Sequence, residues 1–407
     1  MIRRLGPLRE REFRLLFAGQ LVSRLGSAIA PVALAFAVLD LTGSASDLGI
    51  VLAARQIPTI LFLLVGGVWA DRLPRHRVMV VSNLVSGLSQ VLAGALLLTG
   101  DARLWHLGAL AAVNGASSAF FFPASSGVVP QTVPAPLLQQ ANATLRLAVN
   151  ATNITGAALG GLLVAATSPG TAIVVDGASY VLAASFVGAM HLPPGLRMQG
   201  STVVAELRDG WRDFWARGWL WAIVIQFGVV NAAGQGVVSV LGPTVANEHL
   251  GGAAAWGLVL AAMSVGLVLS GVMMLRWRPR RILRVATYSV FGSAAVLVAL
   301  AGPAPLLVVA AAAFASGFCI EIFGVLWDTA MQQEIPHDKL SRMYSYDALG
   351  SWVLMPVGLI LAGPVGEAIG TRAAFLGAAA LVVGATALVL LSHDVRTLER
   401  RTAVATA

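Results

Sequence analysis

Apolar runs of about 20 residues, enough to cross the ~30 Å hydrocarbon core of a bilayer as an α-helix, recur along the whole chain. On that criterion helices are predicted over 13–39, 47–70, 78–99, 104–123, 139–167, 170–191, 218–246, 253–275, 283–302, 305–328, 342–366 and 371–392. A backbone in hydrocarbon has to satisfy its own N–H and C=O groups, and a helix does so within one segment. The expected fold is therefore an all-α polytopic membrane protein with twelve transmembrane helices. The composition agrees: 57% of the 407 residues are hydrophobic, mean hydropathy is +0.80 and only 11% are charged. The first run follows a basic N-terminus as a signal peptide would, but it extends from Phe13 to Leu39. That is well beyond a signal core of ~7–15 residues, so this helix is expected to be retained.

A net charge of +8 would raise nucleic acid as a partner for a soluble chain. Here the basic residues gather in the segments between apolar runs, so no nucleic-acid partner is expected. They set topology and touch anionic headgroups of the bilayer instead. The N-terminus, the second, eighth and tenth connections, the central gap and the C-terminal tail all carry Arg or Lys, whereas the opposite side has Arg103 and Arg372 alone. Both termini are thus expected to be cytoplasmic, in a multi-pass protein of a bacterial inner membrane. The bacterial origin rests on the wealth of Arg, Ala and Gly.

Several chemistries are excluded. The one cysteine, Cys319, allows no disulfide within the chain, and the six histidines show no metal-ligand spacing. Lys339 is the only lysine, and no Gly-rich phosphate loop precedes it. No triad, paired carboxylates or metal cluster stands out, so neither an enzyme nor a cofactor or metal is expected. Any uphill transport would have to draw on an ion gradient or a partner.

An internal repeat divides the chain. One common offset aligns Gly115 with Gly317, Phe121 with Phe323, Gln131 with Gln333, Pro134 with Pro336, Gly156 with Gly358 and Gly161 with Gly363. A two-residue slip places Gly271 and Arg276 on Gly67 and Arg72, with Leu275 where Asp71 stands. Two pseudo-symmetric six-helix bundles are expected, 1–191 and 218–407 with its short tail. They would be joined by a linker at 192–217, where Val203, Val204, Leu207, Trp211, Phe214 and Trp215 recur at helical spacing. That pattern reads as an amphipathic helix lying in the interface.

The connection between the second and third helices reads Gly66-Gly67-Val68-Trp69-Ala70-Asp71-Arg72-Leu73-Pro74-Arg75-His76-Arg77. An Asp at a helix end can pair with a neighbouring Arg or cap another helix's positive end. The stretch resembles the loop signature of the major facilitator superfamily through Gly67, Asp71, Arg72 and Arg75. Pro74 replaces the usual Gly, and His76 is a partial match. The resemblance implies a conformational latch at these four residues, made in one state and broken in another. The fifth helix carries Gly156, Gly160 and Gly161. They resemble the antiporter-associated part of the family signature, with Ala157 in place of Pro, and read equally well as small-residue helix packing.

Charges inside apolar runs cost at least about 2.5–3.5 kcal/mol each, so they need partners or water. By depth, Arg55 with Asp176, and Arg146 with Asp347, are expected to form gate ion pairs. In the family the first, fourth, seventh and tenth helices line the central cavity. That implies a substrate cavity including Gln20, Arg24, Asn114, Phe121, Asn231, Gln235 and Trp327. Glu321 is the first candidate for a proton-coupling carboxylate and Asp347 the second. An ion pair between Glu321 and Arg24 is the structural alternative.

Within the superfamily the chain resembles the bacterial drug and siderophore exporters, which include macrolide and enterobactin exporters. The finer match rests on residues 19–26, 53–58, 176–180 and 332–336. It implies a monomeric multidrug antiporter that moves amphipathic organic solutes outward by alternating access, in exchange for protons. The alternatives are a proton-coupled importer or uniporter of a small organic solute and, from another class, a non-transporting membrane sensor on the same fold.

Overall fold

Among the described residues, twelve long helices follow one another in a computed structural model that describes residues 6–134, 137–192, 211–274, 276–302, 304–335 and 337–399. They are α1 (Arg11–Thr42), α2 (Ala45–Arg72), α3 (Arg75–Thr99), α4 (Leu104–Val128), α5 (Leu138–Ala166) and α6 (Pro169–Gly188). Then come α7 (Gly218–Leu250), α8 (Ala253–Met274), α9 (Ile282–Ala301), α10 (Leu306–Glu334), α11 (His337–Trp352 and Met355–Ile369) and α12 (Thr371–Val389). Among the described residues eleven are long and apolar enough to cross a membrane; in α5 the described apolar stretch is Thr155–Ala166. The chain is therefore an all-helical, multi-pass membrane protein, as its apolar runs predict.

Local chemistry sets the helix ends. α1 stops at Gly43, whose φ of 67° is open to glycine at little cost, and its N–H returns to Leu39 O at 2.8 Å. α6 starts at Ser168, whose Oγ accepts from Thr171 N at 3.2 Å, with Pro169 in the first turn.

By packing, the chain forms two compact units: residues 1–199 with 246–261, and residues 200–245 with 262–407. In the first unit α6 packs on α1 and α3, and α4 on α2 and α3. Gly87 and Gly94 of α3 lie against Gly177 and Gly170 of α6 so closely that a Cβ on Gly94 would stand 2.7 Å from Gly170 O. Gly115 brings α4 onto the backbone carbonyl of Arg55 in α2. On α5, Gly156 and Gly160 take α1 at Ala28 and Ile29, whereas Gly161 takes the first turns of α8 at Ala253 and Gly257. Without side chains at these points the helices approach closely, which is how association proceeds where lipid competes equally for apolar surface.

The second unit repeats this arrangement. Gly317 seats α10 on the Met263 carbonyl of α8, and Gly358 seats α11 on Ala232 of α7. These are the repeat counterparts of Gly115 and Gly156, and they close the equivalent helix pairs. Three helices of this unit are irregular. α9 tightens to a 3₁₀ turn at Phe291–Ser293. Ser316 Oγ serves that turn, donating towards Gly292 O and Ser293 O and accepting from Val296 N, each at 3.2 Å. α7 widens to a π segment at Val230–Gln235. α11 breaks just before Pro356, which offers no N–H to the ladder.

Candidate functional site

The second unit holds a carboxylate in an aromatic setting. Asp347 projects from α11, where its Oδ2 accepts from Trp327 Nε1 at 2.9 Å and its Oδ1 from Ser351 Oγ at 3.1 Å. Both donors are neutral, and no described basic side chain pairs with it. Trp327 itself is buried, stacked on Phe323 at 5.9 Å and met edge-on by Trp219 at 5.6 Å. Phe227 continues the column, 4.1 Å from Phe323. The spacing of Phe323 and Trp327 on α10 puts both rings on one helix face, as residues four apart must be.

The π segment of α7 comes to the same place. Asn231 Nδ2 donates to Ser351 O at 2.8 Å, next to the break in α11. Gln235 ends the segment, half-buried. Gln226, one turn earlier, turns to α12 and bonds Thr386 Oγ1 at 3.0 Å. Glu321 lies further along α10, half-buried, with Oε1 3.6 Å from where a Cβ on Gly271 would stand. It thus faces α8 at the glycine that repeats Gly67.

The first unit holds another carboxylate, and this one is fully buried. Asp176 of α6 is 1% exposed, and its Oδ2 accepts from Gln90 Nε2 of α3 at 2.6 Å. Its Oδ1 is wedged against Gly26 of α1 with no described partner. One turn on, the Tyr180 hydroxyl accepts from Ser27 Oγ at 2.9 Å. Arg55, Gln90 and Asn114 line a cavity of about 10 Å³, the room of a single water. Asn114 is buried there, its amide turned towards the Tyr180 hydroxyl.

Arg55 and Asp176 are within electrostatic reach of each other, without direct contact between the guanidinium and the carboxylate. Gln90 occupies the hydrogen-bonding position at Oδ2, and Arg55 faces the small cavity from α2. Asp347 is held by Trp327 and Ser351; the Arg146 side chain lies outside the described residues. So do the side chains of Gly67, Asp71 and Arg72, which leaves Arg75, half-buried in the first turn of α3, as the described member of the latch. Gln20 is buried and points to Ser125 of α4 at 3.5 Å, while Arg24 and Phe121 are half-buried. Sequence reasoning missed Gln90, Ser351 and Trp219. Gln90 carried a signal, since a lone amide within an apolar run needs a polar partner. Ser351 and Trp219 carried none that their neighbours lack.

The described carboxylates, amides and aromatic rings inside a membrane-spanning chain are the equipment of a solute carrier. Residues 16–352 match the family model of the Major Facilitator Superfamily. The chain belongs to that superfamily. It is accordingly a membrane transporter and not an enzyme. Relatives by sequence include the multidrug efflux pump Tap of Mycolicibacterium fortuitum, 28% identical over 387 residues that make up 91% of this chain and 92% of that one. Macrolide efflux protein A of Streptococcus pyogenes is 21% identical over 395 residues, 95% of this chain and 97% of its own. Among solved structures, the nucleoside transporter NupG superposes with a TM-score of 0.72 at 11% identity, covering 93% of this chain and 98% of its own. A bacterial homolog of the lysosomal transporter Spinster gives 0.73 at 13% identity, covering 95% and 97%. At such identities the two structures establish the fold alone.

Proposed function

We propose that this transporter exports amphipathic organic solutes from a bacterial cell in exchange for protons, with both termini on the cytoplasmic side. The observation that carries the reading is Asp347: a half-buried carboxylate at the start of the apolar span Tyr346–Ile369 whose described donors are both neutral. An ionised carboxylate there is costly without a cation, and a proton supplies the neutralisation that no described base does. Glu321, facing Gly271, is the other carboxylate placed for proton exchange. The full-length likeness to efflux pumps supports outward transport.

In this reading two six-helix bundles, 1–191 and 218–407, alternate access to a cavity served by Gln20, Arg24, Asn114, Phe121, Asn231, Gln235 and Trp327. Gly67, Asp71, Arg72 and Arg75 latch one state, and Arg146 with Asp347 contributes to the gate. The column from Trp219 to Phe227 offers the π-faces that a bulky organic solute needs. The test is an imposed pH gradient across proteoliposomes containing the purified protein and a panel of fluorescent amphipathic drugs. Accumulation of a drug against its gradient, abolished by a protonophore, is the expected result. Equilibration unaffected by the pH gradient would make the protein a uniporter.

A further inference from the structure

A groove of about 550 Å³ opens on the first unit between α3 and α4. Its walls are Val78, Val81 and Val85 on one side and Val113, Ala116 and Phe120 on the other. The short side chains of Ser82, Ala116 and Ser117 leave the space that larger residues would fill. Val81 is 59% exposed and Val113 and Val85 are exposed beside it, so this apolar hollow faces the surroundings of the helix pair. For a membrane-spanning pair those surroundings are lipid.

The two ends of the groove differ. From Arg77 to Val85 is a little over two helical turns, about 12 Å along the axis of α3. Among the described residues, Val85 and Val113 stand at the deep end; at the other end Arg77 lines the mouth beside Leu73 and Pro74. Arg77 is exposed, and no described carboxylate pairs with it. The first turn of α3, to which Arg77 belongs, holds no acidic residue. Pro74 precedes the helix and supplies no side-chain cap, so the positive end of α3 adds to the charge at the same point. An apolar slot of this depth under a cationic, uncapped helix end matches a molecule with an anionic head and a hydrocarbon tail.

We propose that this groove binds an anionic phospholipid of the surrounding leaflet, its phosphate at Arg77 and the first turn of α3, and one acyl chain between Val81 and Val113. Helix N-termini and arginines both favour phosphate, and a leaflet charge attracts a basic side chain by about 1 kcal/mol. The proposal does not depend on the direction of transport.

Native mass spectrometry of the delipidated protein in detergent tests it, titrating dioleoyl phosphatidylglycerol against dioleoyl phosphatidylethanolamine. The wild type is expected to take its first phosphatidylglycerol more tightly than its first phosphatidylethanolamine. Arg77→Gln is expected to weaken that first phosphatidylglycerol about fivefold, the factor equivalent to about 1 kcal/mol, and to leave phosphatidylethanolamine unchanged. Val81→Trp sets an indole across the mouth from an exposed position, so the helix packing is untouched, and is expected to displace either lipid. Melting temperatures equal to wild type establish that both variants are folded. Unchanged phosphatidylglycerol affinity in both variants, or equal wild-type affinity for the two lipids, overturns the proposal. So does an amphipathic organic cation that binds in place of lipid and is lost in the same variants.

Discussion

Trp327 donates its indole N–H to Asp347 at 2.9 Å, so that a ring of the aromatic column on α10 also holds the carboxylate of α11. Trp327→Phe keeps a ring against Phe323 and Trp219 while removing the donor and part of the indole's volume. A hydrogen bond to a charged group contributes about 1.5–3 kcal/mol, so a tenfold or larger fall in drug transport is expected. Asp347→Asn is expected to fall at least as far, and the double variant no further than Asp347→Asn alone, because the two side chains act as one unit. Initial rates of gradient-driven transport check this.

Asp176 and Gln90 form the corresponding pair in the first unit, and here the expected effect is on stability. Gln90→Leu strips the buried carboxylate of its described donor, at a cost of about 1.5–3 kcal/mol. In an Asp176→Asn background the same change should cost less, since no charge is left behind. Unfolding of the four proteins in detergent gives the coupling energy. Equal effects of Gln90→Leu in both backgrounds would show that the pair is not energetically linked.

Gly115 and Gly317 hold equivalent helix crossings in the two halves, and Gly→Ala should be costly at both. The added methyl meets the carbonyl of Arg55 in one case and of Met263 in the other. Overpacking of this kind costs about 1–3 kcal/mol. Gly108, also in α4, has nothing within 4 Å of where its Cβ would lie. Alanine there should be neutral or stabilising by about 0.5–1 kcal/mol, the helix penalty of glycine. Melting temperatures of the three variants make the comparison.

Helix number and order were legible in the sequence because hydrocarbon leaves a backbone few options, and the observed spans follow the apolar runs within a few residues. The repeat was legible for a related reason: Gly115 with Gly317, and Gly156 with Gly358, sit where no side chain fits, so the spacing of small residues records the packing. Side-chain pairing was less legible. Depth along a helix placed Arg55 and Asp176 near each other, but depth does not say which way a side chain points. Gln90 approaches Asp176 from α3 because Gly87 and Gly94 bring α3 close to α6. The irregularities of α7 and α11 left little trace either. Pro356 marks the break in α11, but no residue in Val230–Gln235 announces a π segment.

The most direct test of proton-coupled export separates proton-driven transport from simple exchange in one preparation. Proteoliposomes with wild type or Asp347→Asn would be assayed for drug accumulation under a pH gradient and for drug–drug counterflow without one. The account predicts that wild type does both and that Asp347→Asn retains counterflow while losing accumulation, because binding and rocking survive and coupling does not. Full proton-driven accumulation by Asp347→Asn, with Glu321→Gln equally active, would contradict it.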